Sequence, residues 1–278
     1  MRVGFIGLGD QGAPIARAIG EAGWPLYVWA RRPNTLKAVA RIPHIVCNTL
    51  SDLGKTCDLV GLCLLDDSDV EEILIDSGLL QNLKPGNIVA NHGTGSPDAC
   101  PSLEQRGREV GAFVLDAPVS GGRDAAIHKT LSTMVGGDRQ AYERCRPVFE
   151  TFSRLVSYIG PAGSGQFTKL MNNTLFAANL KNAEEMLALA EHLGFDLKGL
   201  SDVVLVSSGA SFAVEALARH IRTELVEHYE ALLHKNVHHF SDCVRQRGLQ
   251  RSPLEDLAEQ GVDGIATAIE RLTSMGTR

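Results

Sequence analysis

The stretch VGFIGLGDQGAPIARAI, residues 3–19, sets Gly7, Gly9 and Gly12 in GxGxxG spacing, directly behind a β-branched run and directly ahead of a helical apolar pattern. Each glycine has its own mechanical reason. The first makes a tight turn, the second lets the backbone approach a pyrophosphate, and the third permits close packing of helix on sheet. The helix that follows presents its unpaired amides and positive dipole end to the anion. The spacing alone is a weak signal, and its strand-turn-helix context is what makes it a dinucleotide-binding turn. A glycine turn with no ligand is the competing reading.

Outward from that turn, short β-branched runs alternate with helical stretches up to about residue 160: RVGFI, LYVWA, HIVC, DLVGLCLL, NIVANH, AFVLDAP, STMVGG and LVSYIG. Strands alternating with helices imply a mainly parallel sheet with both faces covered. After Gly165 the period changes. Apolar residues recur at three and four, through positions 167, 170, 171, 175 and 178 to Leu193, where Gly194 reads as a C-terminal cap. Further helices are expected over 196–206, 210–222, 224–247 and 253–275, separated by SSG and RGLQRSP. The expected architecture is an α/β nucleotide-binding domain over 1–161, then an all-helical domain over 162–278 that begins with a long connecting helix.

A site preferring NAD would place Asp or Glu at the end of the second strand to accept a hydrogen bond from the ribose 2′-hydroxyl. This chain reads VWARRPNT, residues 28–35. Arg31 and Arg32 cannot accept from a hydroxyl, but guanidinium groups suit a 2′-phosphate, so NADP(H) is the expected cofactor, with Arg31 the stronger candidate.

Composition narrows the class further. Of the 278 residues 44% are apolar, enough to fill sizeable cores. A formal net charge of −6 and the lack of any long Lys/Arg run exclude a protein that tracks a nucleic-acid backbone. Cys47, Cys57, Cys63, Cys100, Cys145 and Cys243 are widely and irregularly spaced, with no CxxC pair. They read as reduced, mostly buried thiols in a cytoplasmic protein. The first residues enter a strand at once, leaving no room for a secretory signal, and no apolar run reaches the ~18 residues of a membrane span.

With GLGDQG (7–12), DAPVSGG (116–122), TMVGG (133–137) and GSGQFTKLMNN (163–173) in this order, the chain resembles the β-hydroxyacid dehydrogenase family, which includes 3-hydroxyisobutyrate dehydrogenase and tartronate semialdehyde reductase. The resemblance spans nearly the whole chain. It implies a Rossmann domain, a helical domain like that of 6-phosphogluconate dehydrogenase, and a homodimer or homotetramer. It places the catalytic lysine on Lys169, its asparagine on Asn173, and the substrate-carboxylate loop on Ser120, Gly121 and Gly122. Cofactor contacts fall on Gly7, Leu8, Gly9, Asp10, Gln11, Gly12, Leu64, Leu65, Thr94 and Lys235, beside Arg31 and Arg32. The chain departs from the pattern at Gln11, at Asn91 with His92 and Gly93, at Lys129 where a glycine is usual, and at Asn236.

Lys169 and Asn173 are four apart, so on a helix they share a face. Hydride leaving a carbinol carbon requires loss of the hydroxyl proton, and the reverse reduction requires a donor to the carbonyl oxygen. A lysine serves both directions once desolvation and the charge of an oxidised nicotinamide depress its pKa from ~10.4. An isolated surface lysine is the plainer alternative. Ser120 with the amides of Gly121 and Gly122 suits a carboxylate, or is an ordinary turn. Asp116 reads as structural. Thr94 either caps a helix starting near Pro97 or touches cofactor, and His92 is a candidate neighbour of substrate or cofactor. His234, His238 and His239 share a helix but no third metal ligand is placed, so no metal is expected. Two other functions compete: an imine reductase, disfavoured by Lys169 with Asn173, and a non-catalytic NADP-binding regulatory protein.

Overall fold

The apolar runs become strands because alternate residues serve two cores. In β1 (Val3–Ile6) Phe5 packs into one cluster with Val28, Ile88 and Leu115, while Ile6 packs into a second with Val60, Leu62 and Val89. The computed structural model describes residues 1–274, and the chain divides into two compact units, Met1–Lys169 and Leu170–Arg278.

In the first unit β1 is followed by α1 (Gly12–Glu21), β2 (Leu26–Trp29), a 3₁₀ turn over Pro33–Val39, β3 (Ile45–Val46), α2 (Leu50–Thr56), β4 (Leu59–Leu62) and α3 (Asp67–Glu71), which runs into a π turn over Glu72–Asp76. Then come β5 (Ile88–Asn91), α4 (Cys100–Glu109), β6 (Phe113–Asp116), β7 (Val119–Ser120), α5 (Gly122–Ile127), β8 (Leu131–Gly136), α6 (Arg139–Phe149) and β9 (Ser153–Gly160). The strand order is β3-β2-β1-β4-β5-β6-β8-β7, with β9 paired to β8. From β3 to β6 every pairing is parallel. β8 is antiparallel to β6 and β7, and parallel to β9. The order of the first six strands is that of a Rossmann sheet, which reverses between β1 and β4.

The helices are α7 (Ser164–His192), α8 (Leu197–Leu205), α9 (Phe212–Glu215) with a π turn over Ala216–His220, α10 (Val226–Gln246), α11 (Pro253–Asp263) and α12 (Ile265–Ser274). In the second unit a single core gathers Leu180, Leu187, Val214, Leu233, Val237, Val262 and Ile269. A Cβ on Gly261 would lie 1.9 Å from the Ala177 carbonyl oxygen, so α11 crosses α7 in direct backbone contact. No helix among the described residues is long and apolar enough to cross a membrane.

Every strand-like run noted in the sequence forms a strand, and Gly194 ends α7 at φ +72°. Three expectations need correction, and one strand was not anticipated. The helix expected over 210–222 is a short α9 plus a π turn. The stretch 253–275 breaks at Gly264 into two helices, and its last position lies outside the described residues. The short β7 was not foreseen, and α4 starts at Cys100 with Ala99 at its cap, so Thr94 caps no helix.

Candidate active site

The parallel register fixes which loops meet. Ile6 pairs with Trp29 and with Leu62, and Leu62 pairs with Asn91. The segments after β1, β2, β4 and β5, bearing Gly7, Arg31, Leu64 and Thr94, therefore leave the sheet on one edge, at the carboxyl ends where open α/β sheets bind ligands.

The glycine turn is built as its spacing implies. Gly7 has φ +94°, and a Cβ there would lie 2.1 Å from the Cys63 carbonyl oxygen. A Cβ on Gly12 would lie 1.8 Å from the Gly7 carbonyl oxygen. At Gly9 a Cβ would meet nothing within 4 Å. Two glycines thus let β1, α1 and the end of β4 close up, and the third faces open space that an approaching pyrophosphate can use. The residues present fit a dinucleotide. Leu8 is buried, Gln11 half-buried at the cap of α1, and Asp10 exposed. Of the pair after β4, Leu64 is half-buried and Leu65 exposed.

Arg31 does not stand free. Its Nη1 donates to Asp69 Oδ1 at 3.2 Å and its Nη2 to Glu72 Oε2 at 2.9 Å. Arg32 precedes the 3₁₀ turn and is exposed, its carbonyl accepting from Thr35 Oγ1 at 2.8 Å.

The start of α7 is anchored on Asp116. This buried carboxylate accepts from the amides of Gly163 at 2.8 Å and Gln166 at 2.9 Å. Burial raises its pKa and those backbone donors oppose the rise. The structural reading of Asp116 holds. The glycines before Lys169 serve close packing. A Cβ on Gly163 would lie 2.5 Å from the Pro97 carbonyl oxygen, and one on Gly165 the same distance from that of Met134.

Gln166, fully buried, is a residue that sequence reasoning missed. Its Nε2 donates to the Gly93 carbonyl at 2.7 Å and its Oε1 accepts from the Gly95 amide at 2.9 Å, so it holds both neighbours of the half-buried Thr94. Asp67 adds a second tie by accepting from the Ser96 amide at 2.9 Å. The one available signal was a lone amide side chain inside an apolar helical start.

Three residues after Gln166, on the same helical face, stands Lys169. It is half-buried, and burial pushes its ammonium down to about 8. No carboxylate among the described residues pairs with it. Asn173, half-buried on α7, accepts from Asn172 Nδ2 at 3.3 Å. Ser120 pairs with Ser132 of β8, and Gly165 packs on Met134 of the same strand, which puts the Ser120-Gly121-Gly122 turn and the start of α7 on one support. Gly121 and Gly122 have φ +126° and +70°, backbone that favours glycine.

His92 is a correction. It is buried against Phe5, Phe149 and Phe152, its Nδ1 lies 2.9 Å from the Ala117 carbonyl oxygen, and burial lowers its pKa to about 4. It is a neutral core histidine packed among aromatic rings. In the helical unit Lys235 is exposed on α10, Asn236 is buried, and His234 pairs with Asp263 at 3.2 Å. Among the described residues no group of three His, Cys, Asp or Glu side chains is arranged to hold a metal.

Comparison with known proteins bears directly on this geometry. Residues 2–160 match the NAD binding domain of 6-phosphogluconate dehydrogenase. Residues 163–270 match the NAD-binding domain of NADP-dependent 3-hydroxyisobutyrate dehydrogenase. The chain belongs to the β-hydroxyacid dehydrogenase family. The dehydrogenase is 35% identical to the NAD-dependent L-serine dehydrogenase of Pseudomonas aeruginosa over 77% of this chain and 72% of that one. It is 32% identical to 2-hydroxy-3-oxopropionate reductase of Escherichia coli over 70% and 67% of the two chains. The solved Mycobacterium tuberculosis 3-hydroxyisobutyrate dehydrogenase with L-serine superimposes with a TM-score of 0.82 at 26% identity, covering 99% of both chains. This is an oxidoreductase with a nicotinamide-nucleotide-binding Rossmann domain.

Proposed function

We propose that this dehydrogenase exchanges hydride between NADP(H) and a small β-hydroxy acid or its semialdehyde, with Lys169 as general acid/base. The observation that carries the reading is Lys169 itself, half-buried, unpaired with any described carboxylate, and depressed to about 8 by burial. A base with a pKa near the working pH combines a useful deprotonated fraction with adequate basicity.

In this reading Gly7, Leu8, Gly9, Asp10, Gln11 and Gly12 hold the pyrophosphate, and Arg31 and Arg32 receive a 2′-phosphate. Leu64, Leu65, Thr94 and Lys235 contact the rest of the cofactor. When bound, the nicotinamide supplies the hydride acceptor or donor. Ser120 and the amides of Gly121 and Gly122 hold the substrate carboxylate, which fixes the reacting carbon. Lys169 Nζ takes the hydroxyl proton during oxidation and returns a proton to the carbonyl oxygen during reduction, while Asn173 orients that oxygen. Relatives named for L-serine and for 2-hydroxy-3-oxopropionate support a small hydroxy-acid class. Met171, Leu175 and Leu189 are exposed apolar side chains on α7, which supports assembly into a homodimer or homotetramer.

The test is a screen of cofactor oxidation over small semialdehydes, keto acids and cyclic imines. Turnover concentrated in carboxylate-bearing semialdehydes is expected. Turnover of cyclic imines alone would favour an imine reductase and overturn the reading.

A further inference from the structure

Among the described residues, the carboxylates that pair with Arg31 come from α3 and the π turn behind it, and they take both of its terminal nitrogens. Asp69 and Glu72 are three apart and share a helical face, with Glu72 at the first position of the π turn. The Asp69 amide in turn donates to Asp66 Oδ1 at 3.0 Å, which fixes the start of α3. One guanidinium with two carboxylates is a cluster of net charge −1.

We propose that Asp69 and Glu72 set the cofactor selectivity of this dehydrogenase, lowering its discrimination for NADPH over NADH by occupying Arg31. The inference rests on the reading of Arg31 as the residue that meets the adenosine ribose. A 2′-phosphate that bonds a guanidinium bidentately uses two of its N–H groups, and here the two terminal nitrogens already serve carboxylates. The phosphate must displace a carboxylate or settle beside one of like charge. A 2′-hydroxyl meets neither obstacle, and a carboxylate oxygen can accept its proton. That acceptor is the group a NAD-preferring sheet carries at the end of its second strand. In this chain the end of β2 offers arginine, and the acceptors arrive from α3. Arg32, which pairs with no carboxylate among the described residues, keeps a cation available for phosphate. The cluster therefore serves both cofactors where a bare arginine would serve one.

The experiment is equilibrium binding of NADPH and NADH, followed by nucleotide fluorescence, for the wild type, D69N, E72Q and the double variant. Both substitutions keep the side-chain shape at partly exposed positions. Releasing Arg31 is expected to raise the NADPH/NADH affinity ratio by about three- to tenfold in the double variant, mostly through tighter NADPH binding. A ratio that does not move, or weaker NADPH binding, would overturn the inference, because the carboxylates would then be irrelevant or would be orienting Arg31 for the phosphate. The wild-type ratio separately tests the NADP preference. If the wild type favours NADH and the double variant shifts toward NADPH, the preference fails and the selector role stands.

Discussion

At Lys169 burial does what a free lysine in water cannot, because it removes solvation from the ammonium and brings the pKa to about 8. In the proposed mechanism the deprotonated form takes the proton when a hydroxy acid is oxidised. In that direction kcat/KM is expected to rise about tenfold per pH unit below pH 8 and to level off above it. In the reductive direction the same proposal requires the protonated form, so the rate is expected to fall above that value. A flat profile from pH 6 to 9 in both directions would remove Lys169 from the proton transfer. His92 carries a different pH signature. Its folded pKa of about 4 lies below the unfolded value near ~6.5, so its contribution to stability is complete above ~6.5 and is lost as pH falls toward 4. Unfolding free energies measured by denaturant at pH 7 and pH 4.5 should lie closer together in His92→Phe than in the wild type, whatever the variant's absolute stability. Lys129 is the one described non-glycine residue at positive φ, +60°, at a position where the family pattern has glycine. The left-handed backbone costs about 1 kcal/mol, more than its exposed pair with Glu21 returns. Lys129→Gly is expected to raise the unfolding free energy by up to about 1 kcal/mol. A loss of stability would mean that the ion pair outweighs the strain. The sequence marked Lys129 and Lys169 because each stands in a motif of fixed spacing. It misread His92, because a strand's carboxyl end says nothing about which face the side chain takes.

At the scale of elements, β6, β5 and the start of α7 are tied together beside the candidate site. Asp116 receives the first amides of α7, and Gln166 ties that helix to the segment holding Thr94. Gln166→Leu leaves the Gly93 carbonyl and Gly95 amide without their side-chain partner, at about 1–3 kcal/mol for each group that stays buried and unsatisfied. Steady-state kinetics should show a raised KM for cofactor, with a smaller change in the pH at which the rate levels off, because Lys169 keeps its surroundings. An unchanged cofactor KM would show that Thr94 needs no such support. These ties were invisible in the sequence for a physical reason. The partners lie 71 and 73 residues apart, and the Arg31 contacts span 38 and 41, so no local period encodes them. The helical unit shows the same limit. The 3.6-residue pattern located α7 and α10, while it marked neither the break at Gly264 nor the π turn after α9. Gly261 illustrates how tight those contacts are. Gly261→Ala drives a methyl into the Ala177 carbonyl and should destabilise the protein by about 1–3 kcal/mol in thermal or urea unfolding, where an ordinary helical Gly→Ala would stabilise it.

For the whole molecule, the mainly parallel sheet and the glycine turn were legible because both follow from short-range rules: strands alternating with helices, and glycines at a set spacing between a strand and a helix. The family matches over 2–160 and 163–270 agree with that reading. Which nicotinamide cofactor is preferred was less legible, since Arg31 pointed one way and the carboxylates that neutralise it arrive from another helix. Lys169 carries the proposed proton transfer, so the most direct measurement is the turnover of Lys169→Ala with the best substrate from the screen, alongside its cofactor dissociation constant. A loss of kcat of at least about a hundredfold, with cofactor affinity within about twofold of the wild type, is the predicted result. Wild-type turnover in that variant would contradict the assignment of Lys169 as the general acid/base.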